Sequence, residues 1–190
     1  YKIIFMIDIS VLENYHLFEA FKLINMDSNC NIFSDLSKGL KKIIRKSIIS
    51  MVLATDMTKH KEEQISLEIQ LGKIKSTQNE NSNKSMLSNY IDEKSPDDQI
   101  KLKEEFLNVL IHSADISNPT KPLNLYNKWT NLVINEFWKQ GDIEKEMNLS
   151  VSLHCDRNGA SIPNIQIGFI NGIVFPMFNI VVQLFPNLEY

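Results

Sequence analysis

Apolar side chains in this 190-residue chain recur at steps of three and four, and no stretch shows a convincing two-residue alternation bounded by turn dipeptides. That pattern constrains the fold more than any other feature: it predicts helices and argues against a sheet. From Lys38 to about Gln70 the run Leu40, Ile43, Ile44, Ile48, Met51, Val52 predicts one long helix, with no Pro or Gly after Gly39 to interrupt it. A second helix is predicted from about Gln99 to Ser113, with Leu102, Phe106, Val109 and Leu110 on one stripe. It should end between Asp115 and Asn118, because Pro119 disfavours helical geometry in the residue before it. A third starts near Pro122, carries Leu125, Trp129, Val133 and Phe137, and is expected to stop at Gly141. A fourth runs from Pro163 toward Phe185. The fold class is therefore all-α, a compact multi-helix domain spanning residues 1–190.

One segment breaks the pattern. Between Lys73 and Asp98 the chain is rich in Asn, Ser, Lys and acidic residues, and it reads as a surface loop insertion at 73–98 inside that domain. From Asn158 to Leu188, by contrast, no charged residue occurs. That length permits a membrane span. Gln166, Asn171, Asn179 and Gln183, with Pro176 in the middle, favour a buried core helix kinked at the proline.

Composition narrows the function classes. The formal net charge of −3 gives no basic footprint for nucleic acid, and no nucleic-acid partner is expected. Cys30 and Cys155 form neither a CxxC pair nor a disulfide framework, and suit reduced, buried thiols in an intracellular protein. The first residues lack the basic region and cleavage site of a secretory signal, and the pattern begins in mid-course, as expected of a fragment.

The densest chemical cluster is His112 to Pro122, at a helix junction. Asp115 is a hard oxygen ligand suited to a divalent cation, and Asn118 offers a donor and an acceptor. The plainer alternative is that both only end one helix and cap the next. Asp56 and His60 lie four apart, as a shared-metal pair or an ordinary helix-surface contact. His112 and Asp115 lie three apart, as do Glu13 and His16. His154-Cys155-Asp156 has no recognisable ligand spacing, and no Gly-rich phosphate loop is present. Spacing alone ends at a soluble helical domain with a candidate carboxylate metal site.

Longer strings add to that reading. Asp115 to Glu146 (DISNPTKPLNLYNKWTNLVINEFWKQGDIEKE) closely resembles the central motif of class I cyclic-nucleotide phosphodiesterases. So do Ser10 to His16, Asn31 to Ser37, Val52 to His60 and Cys155 to Phe178, in the same order and with similar spacing. The resemblance covers nearly the whole chain outside the 73–98 insertion, and it implies a domain cut at both ends. It implies hydrolysis of 3′,5′-cyclic nucleotides, cAMP or cGMP, to 5′-monophosphates in cyclic-nucleotide signalling. Two divalent ions, commonly zinc with magnesium or manganese, would generate the nucleophile and neutralise developing charge.

Carried over position by position, Asp115 matches a zinc ligand. Gln166 matches the glutamine that hydrogen-bonds the purine edge, and Phe169 the aromatic that stacks on the base. Val133 and Phe137 match the apolar lining of the base pocket, Met57 a pocket-wall position and Asn118 a residue near the base. Glu13 and Thr55 match groups that order waters on the other metal. The family's upstream HNxxH and HDxxH motifs, which would carry the general-acid histidine, two histidine ligands and a bridging aspartate, do not occur. No catalytic acid is therefore assigned within this chain. With one ligand of the expected set, the chain alone is expected to be inactive and to bind catalytic metal poorly. His154 departs from the apolar residue that the family pattern leads one to expect there. Asn118 and the NPTKP context resemble cyclic-AMP-hydrolysing members. A catalytically inactive regulatory or scaffold domain of the same fold is the alternative. A homodimer, an intracellular site on the cytosolic side and no membrane contact by this segment are the remaining expectations.

Overall fold

The computed structural model describes residues 9–76, 85–159 and 161–186, and every described regular element is helical. The chain divides into two units, residues 1–112 and 113–190.

In the first unit, α1 (Val11–Met26) and α2 (Lys38–Leu53) pack together. α2 does not continue to Gln70 as the periodicity predicts. It ends at Leu53, and α3 (His60–Ser76) begins after a short turn, Met57–Lys59. Asp56 is the reason. Its carboxylate accepts from the Thr58 amide at 2.9 Å and the Thr58 hydroxyl at 2.7 Å, offering the backbone a cap in place of another helical turn. It also accepts from Ser10 Oγ at 2.6 Å, which ties the start of α1 to the α2–α3 corner. Ser10 stands at φ 51°, in the left-handed region, with its hydroxyl turned away from its own helix end and toward Asp56.

The expected insertion is not a loop throughout. α3 runs to Ser76, α4 occupies Met86–Asp92, and α5 starts at Pro96 and runs to Asp115; residues 77–84 lie outside the described residues. Two caps explain the gain. Ser85 Oγ accepts from the Ser88 amide, and Ser95 Oγ from the Asp98 amide with Pro96 in the first helical position. Tyr90 anchors α4: it is buried, and its hydroxyl donates to Gln70 of α3 at 3.3 Å. Leu102, Phe106 and Val109 of the predicted stripe are buried on α5, and Asn108 bonds Ser50 of α2.

In the second unit, α6 (Leu123–Glu146) runs well past Gly141. That glycine is not a stop signal: a Cβ there would collide with the carbonyl of Cys155, so it is a point of close approach. The apolar C-terminal stretch forms α7 (Ile162–Phe169), a π-helical turn (Ile170–Val174) and α8 (Phe175–Leu184). The Phe175 amide reaches back five residues to the Ile170 carbonyl. This widened turn stands just before Pro176, which has no amide hydrogen and whose ring crowds the preceding carbonyls. By length and composition Ile162–Leu184 could cross a membrane. One face of it is buried, through Ile165, Val174, Met177, Ile180, Val181 and Leu184.

Candidate functional site

A cavity of about 440 Å³ opens within the second unit. Its longest wall is α6, from which Thr130, Val133, Ile134 and Phe137 project at helical spacing. α7 supplies Ile165, Gln166 and Phe169, with Gln166 and Phe169 three apart on one face, and the π turn adds Ile173. Asp115, Ile116 and Asn118 line it from the α5–α6 junction, and Leu153 and His154 from the loop after α6. Asp115, Asn118, Val133, Phe137, Gln166 and Phe169, six residues picked out from the sequence, thus share one cavity. Glu13, Thr55 and Met57 fall in the first unit and do not line it. Thr55 donates to the Val52 carbonyl at 2.8 Å, and Met57 is exposed at the start of its short turn.

Three polar side chains of the cavity, Asn118, Thr130 and Gln166, form a connected set with Tyr126. Tyr126 donates its hydroxyl to Gln166 Oε1 at 3.0 Å, and Thr130 Oγ1 donates to the same oxygen at 3.4 Å. Asn118 Nδ2 donates to Thr130 Oγ1 at 3.3 Å. Asn118 therefore does more than cap: its side chain enters the site. With Oε1 holding two hydroxyls, the Gln166 amide is left to donate through Nε2. Tyr126 and Thr130 were not singled out from sequence, although they lie one turn apart on the stripe that carries Val133 and Phe137.

A second depression adjoins the same junction, lined by Ala114, Asp115, Ser117, Asn118, Lys121, Trp129 and Val133. Asp115, Asn118 and Val133 border both. The loop after α6 borders only the first cavity and is clasped to the helix. Glu144 accepts from the Ser152 amide at 2.7 Å and the Ser152 hydroxyl at 2.6 Å, and these bonds hold its carboxyl below the usual carboxylate range. Lys145 pairs with Asp156 at 2.7 Å, and Arg157 with Asp142 at 2.7 Å. Cys155 is buried where it meets Gly141.

A metal centre is a separate question. Among the described residues no group of three or more His, Cys, Asp or Glu side chains converges. Asp115 suits a single cation ligand, exposed in the cavity, but it does not make a two-ion centre by itself. The other spacings resolve differently. His60 and His112 are buried and face each other within the first unit, His60 Nδ1 lying 2.9 Å from His112 Nε2. Burial, then the neighbouring His112, pushes His60 below the usual histidine range. Asp56 caps a turn and is buried, as is His60, so their spacing is not a surface contact.

The sequence profile described as 3′5′-cyclic nucleotide phosphodiesterase matches residues 2–190. The chain is 40% identical over 195 residues to the "Probable 3′,5′-cyclic-AMP phosphodiesterase pde-4" of Caenorhabditis elegans, covering 96% of this chain and 27% of that protein. It is 41% identical over 172 residues to the "3′,5′-cyclic-AMP phosphodiesterase, isoform F" of Drosophila melanogaster, covering 90% of this chain and 24% of that one. The chain thus spans about a quarter of the length of these two relatives. The solved structure of LmjPDEB1 in complex with IBMX is similar with a TM-score of 0.73 at 27% identity, over 93% of this chain and 47% of that one.

Proposed function

From the premise that the chain belongs to the 3′,5′-cyclic nucleotide phosphodiesterase family, we propose that its cavity binds the base of a cyclic nucleotide during hydrolysis to the 5′-monophosphate. The carrying observation is that one cavity collects Asp115, Asn118, Val133, Phe137, Gln166 and Phe169. A flat aromatic base suits a slot between Phe169 and the apolar face of α6, where stacking and water exclusion favour it. Gln166, held by Tyr126 and Thr130, donates to a purine acceptor and fixes the ring's orientation.

Cyclic AMP is the proposed substrate, with cyclic GMP as a second. A donating amide serves N1 or N7 of adenine and O6 or N7 of guanine alike, so the order rests elsewhere: on the relatives named as cyclic-AMP phosphodiesterases and on the Asn118 context. Two divalent ions are proposed as cofactors, supplying the activated nucleophile and charge neutralisation. Asp115 would hold one of them; among the described residues no group of three or more His, Cys, Asp or Glu side chains completes a centre. An intracellular role in cyclic-nucleotide signalling follows from the same reading.

The test is product analysis. The protein carrying this chain, supplied with magnesium and zinc, is incubated separately with cyclic AMP and cyclic GMP. The expected product is the 5′-monophosphate, formed faster from cyclic AMP. No turnover of either nucleotide, or release of the 3′-monophosphate, would overturn the proposal.

A further inference from the structure

We propose that His154 is a base-binding residue of this cavity, hydrogen-bonding the bound base at a polar edge that Gln166 does not serve. The proposal rests on the cyclic-nucleotide reading above.

Among the described residues, the polar side chains lining the cavity are Asp115, Asn118, Thr130, His154 and Gln166. Asn118, Thr130 and Gln166 belong to one hydrogen-bonded set. Asp115 borders the second depression, together with Lys121. His154 lines only the first cavity and stands outside both groups, on the loop side with Leu153. Its placement is built rather than incidental. Glu144 fixes Ser152, two residues before it, and Cys155, directly after it, is buried against Gly141. Lys145 and Asp142 then hold Asp156 and Arg157. Between these anchors His154 adopts φ 66°, a left-handed conformation that few non-glycine residues take. The clasp thus maintains an unfavourable backbone geometry at the residue through which the loop after α6 brings a hydrogen-bonding side chain to the cavity.

The chemistry follows from the ligand. A purine carries hydrogen-bonding atoms on more than one edge, and one amide can satisfy only one of them. A neutral imidazole offers an N–H donor on one nitrogen and an acceptor on the other. The cavity is walled largely by Val133, Ile134, Phe137, Ile165 and Phe169, while Leu153 and His154 stand exposed at its loop side, and there an imidazole gives a polar edge of the base a directional partner in place of water.

The experiment is steady-state hydrolysis of cyclic AMP by the protein carrying this chain, comparing wild type with His154→Gly, His154→Gln and Glu144→Gln. Glycine keeps the left-handed backbone without strain, so His154→Gly removes the imidazole alone. It should raise KM about five- to tenfold with kcat within about twofold, the loss of one hydrogen bond. His154→Gln retains a donor and an acceptor and should recover most of the wild-type KM. Glu144→Gln leaves His154 in place but weakens the clasp, and should raise KM in the same direction. A His154→Gly enzyme with wild-type KM would overturn the role of His154 while leaving the phosphodiesterase reading intact. A wild-type protein that turns over no cyclic nucleotide would overturn both.

Discussion

Gln166 depends on its neighbours for its orientation. Its amide oxygen takes hydroxyls from Tyr126 and Thr130, so the donor face is set before a ligand arrives. Tyr126→Phe removes the shorter of the two bonds and lets the amide rotate. The expected result is a KM for cyclic AMP raised about three- to tenfold with kcat little changed, read from initial rates. Glu63 gives a pH prediction. Burial pushes its carboxyl up to about 7, and its Oε2 has no hydrogen-bond partner. The folded state therefore keeps a proton that the unfolded chain releases from about pH 4.5. That contribution to stability is complete below the unfolded value and is lost as pH rises through about 7. Glu63→Gln should flatten the decline across that window and raise the denaturation midpoint at pH 8, measured by urea unfolding at several pH values. Asp56 works in the opposite sense: its bonds from Ser10 and Thr58 hold it below the usual carboxylate range. Its contribution is present above the unfolded value and lost as pH falls through the lower folded one. Removing the cap in Asp56→Ala should cost about 1–2 kcal/mol at neutral pH by the same measurement. At this scale the cavity was partly legible. Val133 and Phe137 share a helix stripe, and Gln166 and Phe169 share a face, but only the resemblance gave those residues a role. Tyr126 and Thr130 lay on that stripe and were passed over, because a hydroxyl partner for a distant glutamine leaves no mark in local spacing.

The helices themselves were well marked by periodicity, and their ends less so. Caps decided the differences. Asp56 split one expected helix into two, and Ser85 and Ser95 drew helical turns out of a segment whose composition suggested a loop. Gly141 misled for a different reason. A glycine near the end of a periodic run suggests a stop, whereas this one is required by the approach of Cys155, a long-range contact that local sequence does not encode. Gly141→Ala tests the point. The added methyl must displace the loop that carries Leu153 and His154, so stability should fall by about 1–3 kcal/mol and KM should rise. Gly72→Ala, inside α3 where a methyl meets nothing within 4 Å, should leave KM unchanged and raise stability by about 0.5–1 kcal/mol, and serves as the control. The π turn at Ile170–Val174 was likewise not foreseen as such. The sequence reading placed a kink at Pro176, and the distortion falls on the turn just before it.

For the whole molecule, the all-α class follows from periodicity alone, and the family match across residues 2–190 agrees with it. Function was less legible, because the residues of the cavity come from four chain segments whose convergence depends on tertiary structure. On the proposed function, this cavity holds the base through Gln166 and presents Asp115 to the reacting end of a cyclic nucleotide. The most direct test is cyclic-AMP hydrolysis by Gln166→Ala and Asp115→Ala in the protein carrying this chain. A split is expected. Gln166→Ala should act mainly on KM, by about tenfold or more, while Asp115→Ala should lower kcat by at least about a hundredfold. Near-wild-type kinetics in either variant would contradict it.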